Sequence, residues 1–171
     1  MRFENIFGRR TLAKVNRELL SYNIGLLKEF LADTIGRNTE MTVRSLQKGI
    51  FSPESEFLKR GGKRWRVALF DTVVDILGGS KNDLRKYSVV CELIHNGTLI
   101  ADDIEDGSLL RRGKPSLHLI YGTDISVNLS QFLYFFPLVP LLEIRDHGLF
   151  ARLMKIYTEE MISVSAGQAI D

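Results

Sequence analysis

Several features that mark other classes of protein are scarce or missing in this sequence of 171 residues. Its one cysteine, Cys91, cannot form a disulfide within the chain, so nothing indicates an oxidising compartment. The first ten residues, MRFENIFGRR, lack the apolar core of a secretion signal. The most apolar run, FLYFFPLVPLL at residues 132–142, is too short to span a bilayer and contains two of the four prolines. We therefore predict a cytoplasmic protein without a transmembrane segment.

The composition is that of a globular protein, but its charge is unevenly distributed. The hydrophobic fraction of 44% and the charged fraction of 26% are typical of a soluble domain. Residues 1–66 hold 14 Lys/Arg and 7 Asp/Glu (+7), whereas residues 67–171 hold 9 and 14 (−5). Such asymmetry is typical of a surface for anions, or of helices with basic, solvated faces. The length predicts a single domain over residues 1–171.

Strand signals are also missing, because no segment of useful length alternates apolar and polar residues. Apolar spacings of three and four instead predict helices over residues 11–35, 41–50, 66–77, 82–106, 124–145 and from 149 onward. Ser52 is predicted to cap a further helix with Pro53 in its first turn, and Gly78 is predicted to end another. The helix over residues 82–106 is nearly apolar in its middle, so we expect it to be buried on most sides. The sequence thus predicts an all-α fold.

Four carboxylates that follow this apolar helix are hard to explain by folding alone. They are Asp102, Asp103, Glu105 and Asp106. Asp102 and Asp106 share a helix face and repel each other at the negative end of the helix dipole, where burial would add a desolvation cost. Magnesium would offset this repulsion, because Mg²⁺ prefers oxygen ligands and is usually held by a few carboxylates plus substrate phosphates. The alternative is a solvated helix end whose acids pair with Arg111 and Arg112.

Basic residues flank the acids in the sequence on both sides. The segment GGKRWR at residues 61–66 has two glycines that would let the backbone approach a ligand, and Lys63, Arg64 and Arg66 supply cationic donors. The segment RRGK at residues 111–114 follows the acids. Acids and bases together suit a metal-bridged diphosphate on one side and a metal-free diphosphate on the other. No nucleic-acid partner is predicted, because the acids would repel a phosphate backbone.

Three segments resemble the trans-polyprenyl diphosphate synthases, of the geranylgeranyl and farnesyl diphosphate synthase type. They are GGKRWR, LIHNGTLIADDIEDGSLLRRGKPSLHLIYG and GQAID. The resemblance covers most of the chain beyond the first third, and its central block is highly specific. It implies an isoprenoid-synthase-type helical bundle around a central cavity, of which this chain is the amino-terminal part. It also implies a homodimeric prenyltransferase that condenses isopentenyl diphosphate with an allylic diphosphate, with geranylgeranyl diphosphate as the favoured product.

The resemblance further implies roles for individual residues. Asp102 and Asp106 would bind Mg²⁺ with Asp103 supporting them, and Arg111 would contact the allylic diphosphate. The residues implied to hold isopentenyl diphosphate are Lys63, Arg66, His95 and Arg112.

Two of the matched positions need separate comment, and one position departs from the family. His95 is alternatively a satisfied core histidine, but its place seven residues before Asp102 puts it on the same helix face and favours the site. Gln168 and Asp171 match the family's GQxxD segment, near the allylic substrate. Val67 stands where the family usually has proline, which we expect to alter only how the next helix begins.

Product length is predicted from the residues one helical turn before Asp102. Gly97 and Thr98 lie there, about 6 Å away along the helix axis. Family members that stop at fifteen carbons often have aromatic rings at these positions. Small residues at Gly97 and Thr98 therefore predict an open tunnel and a longer product.

Family members normally carry a second aspartate-rich motif on a later helix, and these 171 residues contain no second such cluster. The apolar spacing of the last helix also continues past Gly167. We therefore predict that the chain is the amino-terminal part of a longer synthase and has little activity alone. The alternative is a non-catalytic, prenyl-synthase-like subunit that binds prenyl diphosphates, against which the intact motifs argue.

Overall fold

A computed structural model of the protein describes residues 44–170 and is built almost entirely of helices. The elements after a π-helical turn (Gln47–Phe51) are α1 (Ser52–Lys59), α2 (Trp65–Ile76), α3 (Lys81–Glu105), β1 (Leu110–Arg111), β2 (Lys114–Pro115), α4 (Leu117–Tyr121), α5 (Thr123–Phe135), a 3₁₀ segment (Phe136–Glu143) and α6 (His147–Ile170). The predicted all-α fold is confirmed. The helix predicted over residues 11–35 and the start of the one over 41–50 lie outside the described residues.

The predicted start of α1 is wrong in one detail. Ser52 is the first residue of α1 rather than its cap, and the residue before it, Phe51, is already helical. Because the π-helical turn runs directly into α1, no amide group at this point needs a capping side chain. The Ser52 Oγ instead accepts a hydrogen bond from Gln47 Nε2 at 3.0 Å. Pro53 does lie in the first turn, as predicted.

The predicted ends of α2 and α3 are close to those observed. Gly78 has a φ of +70° after the end of α2 and donates its N–H to the Asp75 carbonyl at 3.0 Å, which is the expected glycine stop. The helix α3 begins at Lys81 with Ser80 as its cap, whose Oγ accepts the Asp83 N–H at 3.3 Å. The long helix that carries the acids is therefore confirmed over nearly its whole predicted length.

Three small elements, the strands β1 and β2 and the helix α4, were not predicted from the sequence. The strands β1 and β2 form an antiparallel hairpin in which Leu110 pairs with Pro115 and Arg111 with Lys114. Its two-residue turn is Arg112–Gly113, and both residues have positive φ (56° and 76°), as in a type I′ turn. Strands of two residues and a five-residue helix such as α4 are too short to show a periodicity.

The core lies where α3 packs against α2 on one side and α5 on the other. Its fully buried side chains are Phe57, Leu58, Val67, Val89, Leu93, Ile100, Leu117, Leu129 and Leu133. On α3 the buried positions form one stripe at spacings of three and four, and most other positions of its second half are only half-buried. The expectation that α3 is buried on most sides therefore holds only in part among the described residues.

The chain divides into two compact units, residues 1–137 and 138–171. The first contains α1 to α5, and the second contains α6, which runs through Gly167 to Ile170 as its apolar spacing predicted. The prediction of one domain over the whole chain stays a prediction. The 21-residue stretch Thr123–Glu143 is long and apolar enough to cross a membrane, but a core helix also passes this test, so the stretch is weak evidence of a span.

Candidate functional site

The last turn of α3 presents its acidic side chains at three different levels of exposure. Asp103 is buried at 1% exposure, the Asp102 side chain is 35% exposed, and Asp106 is exposed. The helix is intact up to this point, because the Asp106 N–H donates to the Asp102 carbonyl at 2.9 Å. Asp102 and Asp106 therefore share the accessible face, while Asp103 points inward. The predicted roles of Asp102 and Asp106 as metal ligands, with Asp103 supporting them, stay predictions.

Arg111 holds the two neighbouring aspartates together. Its Nη2 lies 2.6 Å from Asp102 Oδ2 and 2.6 Å from Asp103 Oδ1, and its Nε donates to Asp103 Oδ1 at 2.8 Å. The hydrogen bond to Asp103 raises the pKa of Arg111, which keeps the guanidinium charged. The alternative interpretation expected the acids to pair with Arg111, and this pairing is observed for Asp102 and Asp103.

Oxygen atoms remain available for a cation beside this ion pair. Among the described residues, nothing donates to Asp102 Oδ1 or to the Asp106 carboxylate. No three His, Cys, Asp or Glu side chains between residues 44 and 170 come together as a complete metal site. Two accessible carboxylates nevertheless fit Mg²⁺, which usually keeps several waters and takes its other ligands from substrate phosphates.

Arg64 in the basic loop does not face the site as the sequence suggested. Its side chain is buried and donates to Glu92 Oε1 at 2.8 Å, Leu58 O at 3.1 Å and Asn96 Oδ1 at 3.3 Å. The loop turns inward here because Arg64, the residue before α2, has a left-handed backbone (φ 46°). The prediction that Arg64 supplies a cationic donor to a ligand is therefore wrong, since the buried carboxylate of Glu92 balances its charge.

The two glycines before Arg64 make room for a side chain of the same protein. A Cβ atom on Gly62 would lie 3.1 Å from Arg112 Cζ, and Gly62 has a φ of +140°. The Gly61 carbonyl accepts a hydrogen bond from Arg112 Nη1. The close approach predicted for a ligand is therefore made by the guanidinium of Arg112.

Arg112 is held from three sides. Besides Gly61, it donates from Nη2 to Asn96 Oδ1 at 3.1 Å, and its Cζ lies 5.1 Å from the centre of the Phe57 ring. Burial and the nearby charge of Arg64 lower the pKa of Arg112 to about 10. It is still a cation at neutral pH, and its two hydrogen bonds use only two of five N–H donors.

The remaining residues predicted to hold isopentenyl diphosphate lie near the same loop. Lys63 is exposed, and Arg66 is half-buried with its guanidinium 4.6 Å from the centre of the Trp65 ring. His95 is half-buried on α3, and burial together with the charge of Arg66 lowers its pKa to about 4. The imidazole is therefore neutral at pH 7. Val67, at the position where the family has proline, is buried in the core at 1% exposure.

Gly97 has a packing role that its sequence position did not reveal. A Cβ atom there would lie 3.1 Å from each of Leu133 Cβ, Ser130 O and Tyr134 Cε1 on α5. The Ser130 Oγ also donates to the Gly97 carbonyl at 2.9 Å. Gly97 is small because two helices cross at this point, and its predicted effect on product length stays a prediction. Thr98 is half-buried, and its Oγ1 donates to the His95 carbonyl at 2.9 Å.

Gly167 and Gln168 of the GQxxD segment lie on α6. Gln168 is exposed near the end of that helix, in the second compact unit, and Asp171 lies outside the described residues. Their predicted place near the allylic substrate stays a prediction.

Sequence reasoning missed the buried polar residues that support the arginines. Glu92 and Asn96 have exposures of 2% and 0%, and both contact Arg64. Glu92, Asn96 and Asp103 are four and seven residues apart, so they share the buried face of α3. Polar residues repeated on an otherwise apolar face were the available signal, since such groups are almost always hydrogen-bonded when buried.

Comparisons with known proteins identify relatives of this arrangement. Residues 47–171 match the profile of the family described as polyprenyl synthetase. A geranylgeranyl pyrophosphate synthase from Eremothecium gossypii is 30% identical over 122 residues, which cover 70% of this chain and 38% of the relative. A short chain isoprenyl diphosphate synthase from Methanocaldococcus jannaschii is 34% identical over 125 residues, covering 71% and 37%.

Solved structures confirm the predicted isoprenoid-synthase type of helical fold. An isoprenoid synthase family member from Thermotoga neapolitana has a TM-score of 0.67 at 24% identity, over 88% of this chain and 52% of that one. A geranylgeranyl pyrophosphate synthase has a TM-score of 0.66 at 25% identity, over 88% and 43%. The chain spans about two fifths of the length of the curated relatives described above.

Proposed function

This chain belongs to the polyprenyl synthetase family, and on that basis we propose that it carries the diphosphate-binding part of a prenyltransferase. The reaction would join isopentenyl diphosphate to an allylic diphosphate in the presence of Mg²⁺. Geranylgeranyl diphosphate is the proposed product, supported by the names of the relatives and by the small side chain of Thr98 beside the site. The predicted homodimer and cytoplasmic location stay predictions.

One observation carries this proposal: Arg111 and Arg112 are adjacent but point to opposite chemical surroundings. Arg111 lies at the acidic end of α3, 2.6 Å from Asp102. A diphosphate that binds there would contact both Mg²⁺ and a guanidinium group. Arg112 lies against the GGKR loop, where Lys63 and Arg66 add positive charge. A diphosphate could bind these cations without a metal ion held by carboxylates. These two surroundings support a metal-dependent anion site on one side of the hairpin and a metal-free one on the other.

The residues of the chain can support an ionisation mechanism. Mg²⁺ held by Asp102 and Asp106 would neutralise charge on the departing diphosphate when bound. Arg111 would donate to the same leaving group, held in place by the buried carboxylate of Asp103. Arg112 would help to bind isopentenyl diphosphate close to the allylic carbon, so that two substrates react within one site.

Direct binding measurements on the chain test the proposal. Calorimetric titration with an allylic thiolodiphosphate, whose carbon–sulfur bond resists cleavage, should show binding that requires Mg²⁺. Isopentenyl diphosphate should bind in the presence of a chelator as well. The Asp102→Asn/Asp106→Asn double variant should lose the first binding event and retain the second, whereas Asn128→Ala, an exposed change on α5, should alter neither.

Product analysis then separates an enzyme from a binding subunit. Labelled isopentenyl diphosphate and an allylic primer should give a labelled prenyl diphosphate with the polypeptide as made in its natural host. Binding of both ligands without any product from that polypeptide would indicate the non-catalytic subunit. Magnesium-independent binding of both ligands would contradict the proposed division of the site.

A further inference from the structure

Asn96 connects the two arginines that have unusual backbone conformations. Among the described residues, only Arg64 and Arg112 combine a side chain with positive φ, at 46° and 56°. Such conformations cost free energy in residues other than glycine and persist only where the surroundings hold them. Both guanidinium groups donate to the same atom, Asn96 Oδ1, at 3.3 Å and 3.1 Å. Two loops far apart in sequence are therefore joined by one amide on α3.

The orientation of this amide is determined by its own hydrogen bonds. Asn96 is completely buried, and its Nδ2 donates to the Glu92 carbonyl one turn earlier at 2.5 Å. Because the amino group is used within the helix, the carbonyl oxygen must face the arginines. The amide thus presents a fixed acceptor without adding a negative charge to the loop.

The two arginines depend on Asn96 to different degrees. Arg64 also has the carboxylate of Glu92 at 2.8 Å and the Leu58 carbonyl at 3.1 Å. Arg112 has, among the described residues, only the Gly61 carbonyl as a second acceptor, together with the face of the Phe57 ring. Loss of the Asn96 acceptor would leave Arg64 paired but would remove half of the hydrogen bonds that orient Arg112.

We propose that Asn96 is a positioning residue that orients Arg112 and thereby sets the affinity for the metal-free diphosphate. This inference rests on the proposed function for the identity of that ligand, isopentenyl diphosphate. A neutral amide suits the role because it fixes the guanidinium while leaving its charge available to the ligand. A carboxylate at this position would fix Arg112 equally well but would cancel part of the charge.

The test is the affinity of Asn96→Ala for two ligands, measured on the full chain. Isopentenyl diphosphate in the presence of a chelator should bind about tenfold more weakly, as expected for one hydrogen bond to a charged group. The allylic thiolodiphosphate with Mg²⁺ should bind as it does to the wild type, because Arg111 and the acids do not contact Asn96. Asn96→Asp should also weaken the binding of isopentenyl diphosphate, and Asn128→Ala should change the affinity for neither ligand.

Other outcomes give a clear decision. The positioning role would be overturned if Asn96→Ala bound isopentenyl diphosphate as tightly as the wild type does. It would also be overturned if the binding of both ligands were weakened equally. If Asn96→Ala does not fold, as circular dichroism would show, Asn96→Ser replaces it, because its hydroxyl is too short to reach Arg112. A binding titration with inorganic pyrophosphate tests this inference separately from the proposed function. If no prenyl product forms but Asn96→Ala still weakens metal-free pyrophosphate binding, the positioning role holds and the proposed reaction fails.

Discussion

Arg111 and Arg112 are consecutive residues of the same type, yet their surroundings shift their pKa values in opposite directions. Arg111 lies between two carboxylates, and the hydrogen bond to Asp103 raises its pKa. Arg112 lies against the Phe57 ring, and burial together with the charge of Arg64 lowers its pKa to about 10. The difference arises from the type I′ turn, in which Arg111 ends β1 while Arg112 occupies the left-handed first position of the turn. A two-residue turn thus directs two cations into two different surroundings, one acidic and one basic.

The largest expected effect comes from removing the cation on the acidic side. In the polypeptide as made in its natural host, Arg111→Gln should lower kcat for product formation about 10²–10³-fold, the range seen when one donor to a developing negative charge is removed. Arg112→Gln should instead act mainly through KM for isopentenyl diphosphate. Steady-state kinetics with each substrate varied separately measure the contrast. Equal changes in kcat and KM for the two variants would show that the two arginines serve one common site.

The second prediction concerns the buried partner of Arg111. Asp103→Asn should destabilise the protein by about 2 kcal/mol, because it weakens hydrogen bonds between charged groups at a buried position. The matched change Asp106→Asn should alter the free energy of unfolding by less than about 0.5 kcal/mol, because that side chain is exposed. Urea unfolding without added magnesium measures both, and similar values for the two variants would contradict a supporting role for Asp103.

The third prediction perturbs Arg112 from the loop side. Gly62→Ala combines a strained positive φ with a Cβ atom 3.1 Å from Arg112 Cζ, so it should destabilise the protein by about 1–2 kcal/mol and weaken isopentenyl diphosphate binding. Gly107→Ala is the control, because φ is also positive there (+61°) but nothing lies within 4 Å. It should be destabilising by strain alone and should leave that binding unchanged. If both variants bind isopentenyl diphosphate equally, contact with Arg112 is unimportant.

The smallest expected effect is a titration shift at His95. Burial and the charges of Arg66, Arg112 and Arg64 lower the pKa of His95 to about 4. Arg112→Gln should therefore raise the pKa of His95, measured from the pH dependence of its ring resonances in nuclear magnetic resonance spectra. Arg111 is not among the causes of the shift, so Arg111→Gln should leave the pKa unchanged. A shift caused by Arg111→Gln would show that the two sites are not electrostatically separate.

The same histidine gives the stability a pH dependence of known sign. Because the pKa in the folded protein lies below the value of about 6.5 in an unfolded chain, the unfolded state binds the proton more readily. The contribution of His95 to stability is therefore complete above pH 6.5 and is lost as the pH falls towards 4. The variant His95→Gln should show a flatter loss of stability over this interval.

Long periodic segments made most of the fold predictable, whereas special backbone conformations did not. The helix α3 was predicted within one residue at each end, because 25 residues of apolar spacing and a following glycine leave little ambiguity. The acids and the RRG segment were also found from sequence. Arg64 and Gly62 were misinterpreted because a sequence shows which residues are cationic or small, but not that a left-handed turn buries one and packs the other against Arg112.

The crossing of α3 and α5 at Gly97 limits which side chains this position can hold. Any side chain at this position would meet the Ser130 backbone at 3.1 Å, and a backbone atom cannot move aside as a flexible side chain can. A substitution at residue 97 therefore requires α3 and α5 to move apart by a few tenths of an ångström. Thr98, the other position at which side-chain size is predicted to set product length, is half-buried on the same helix.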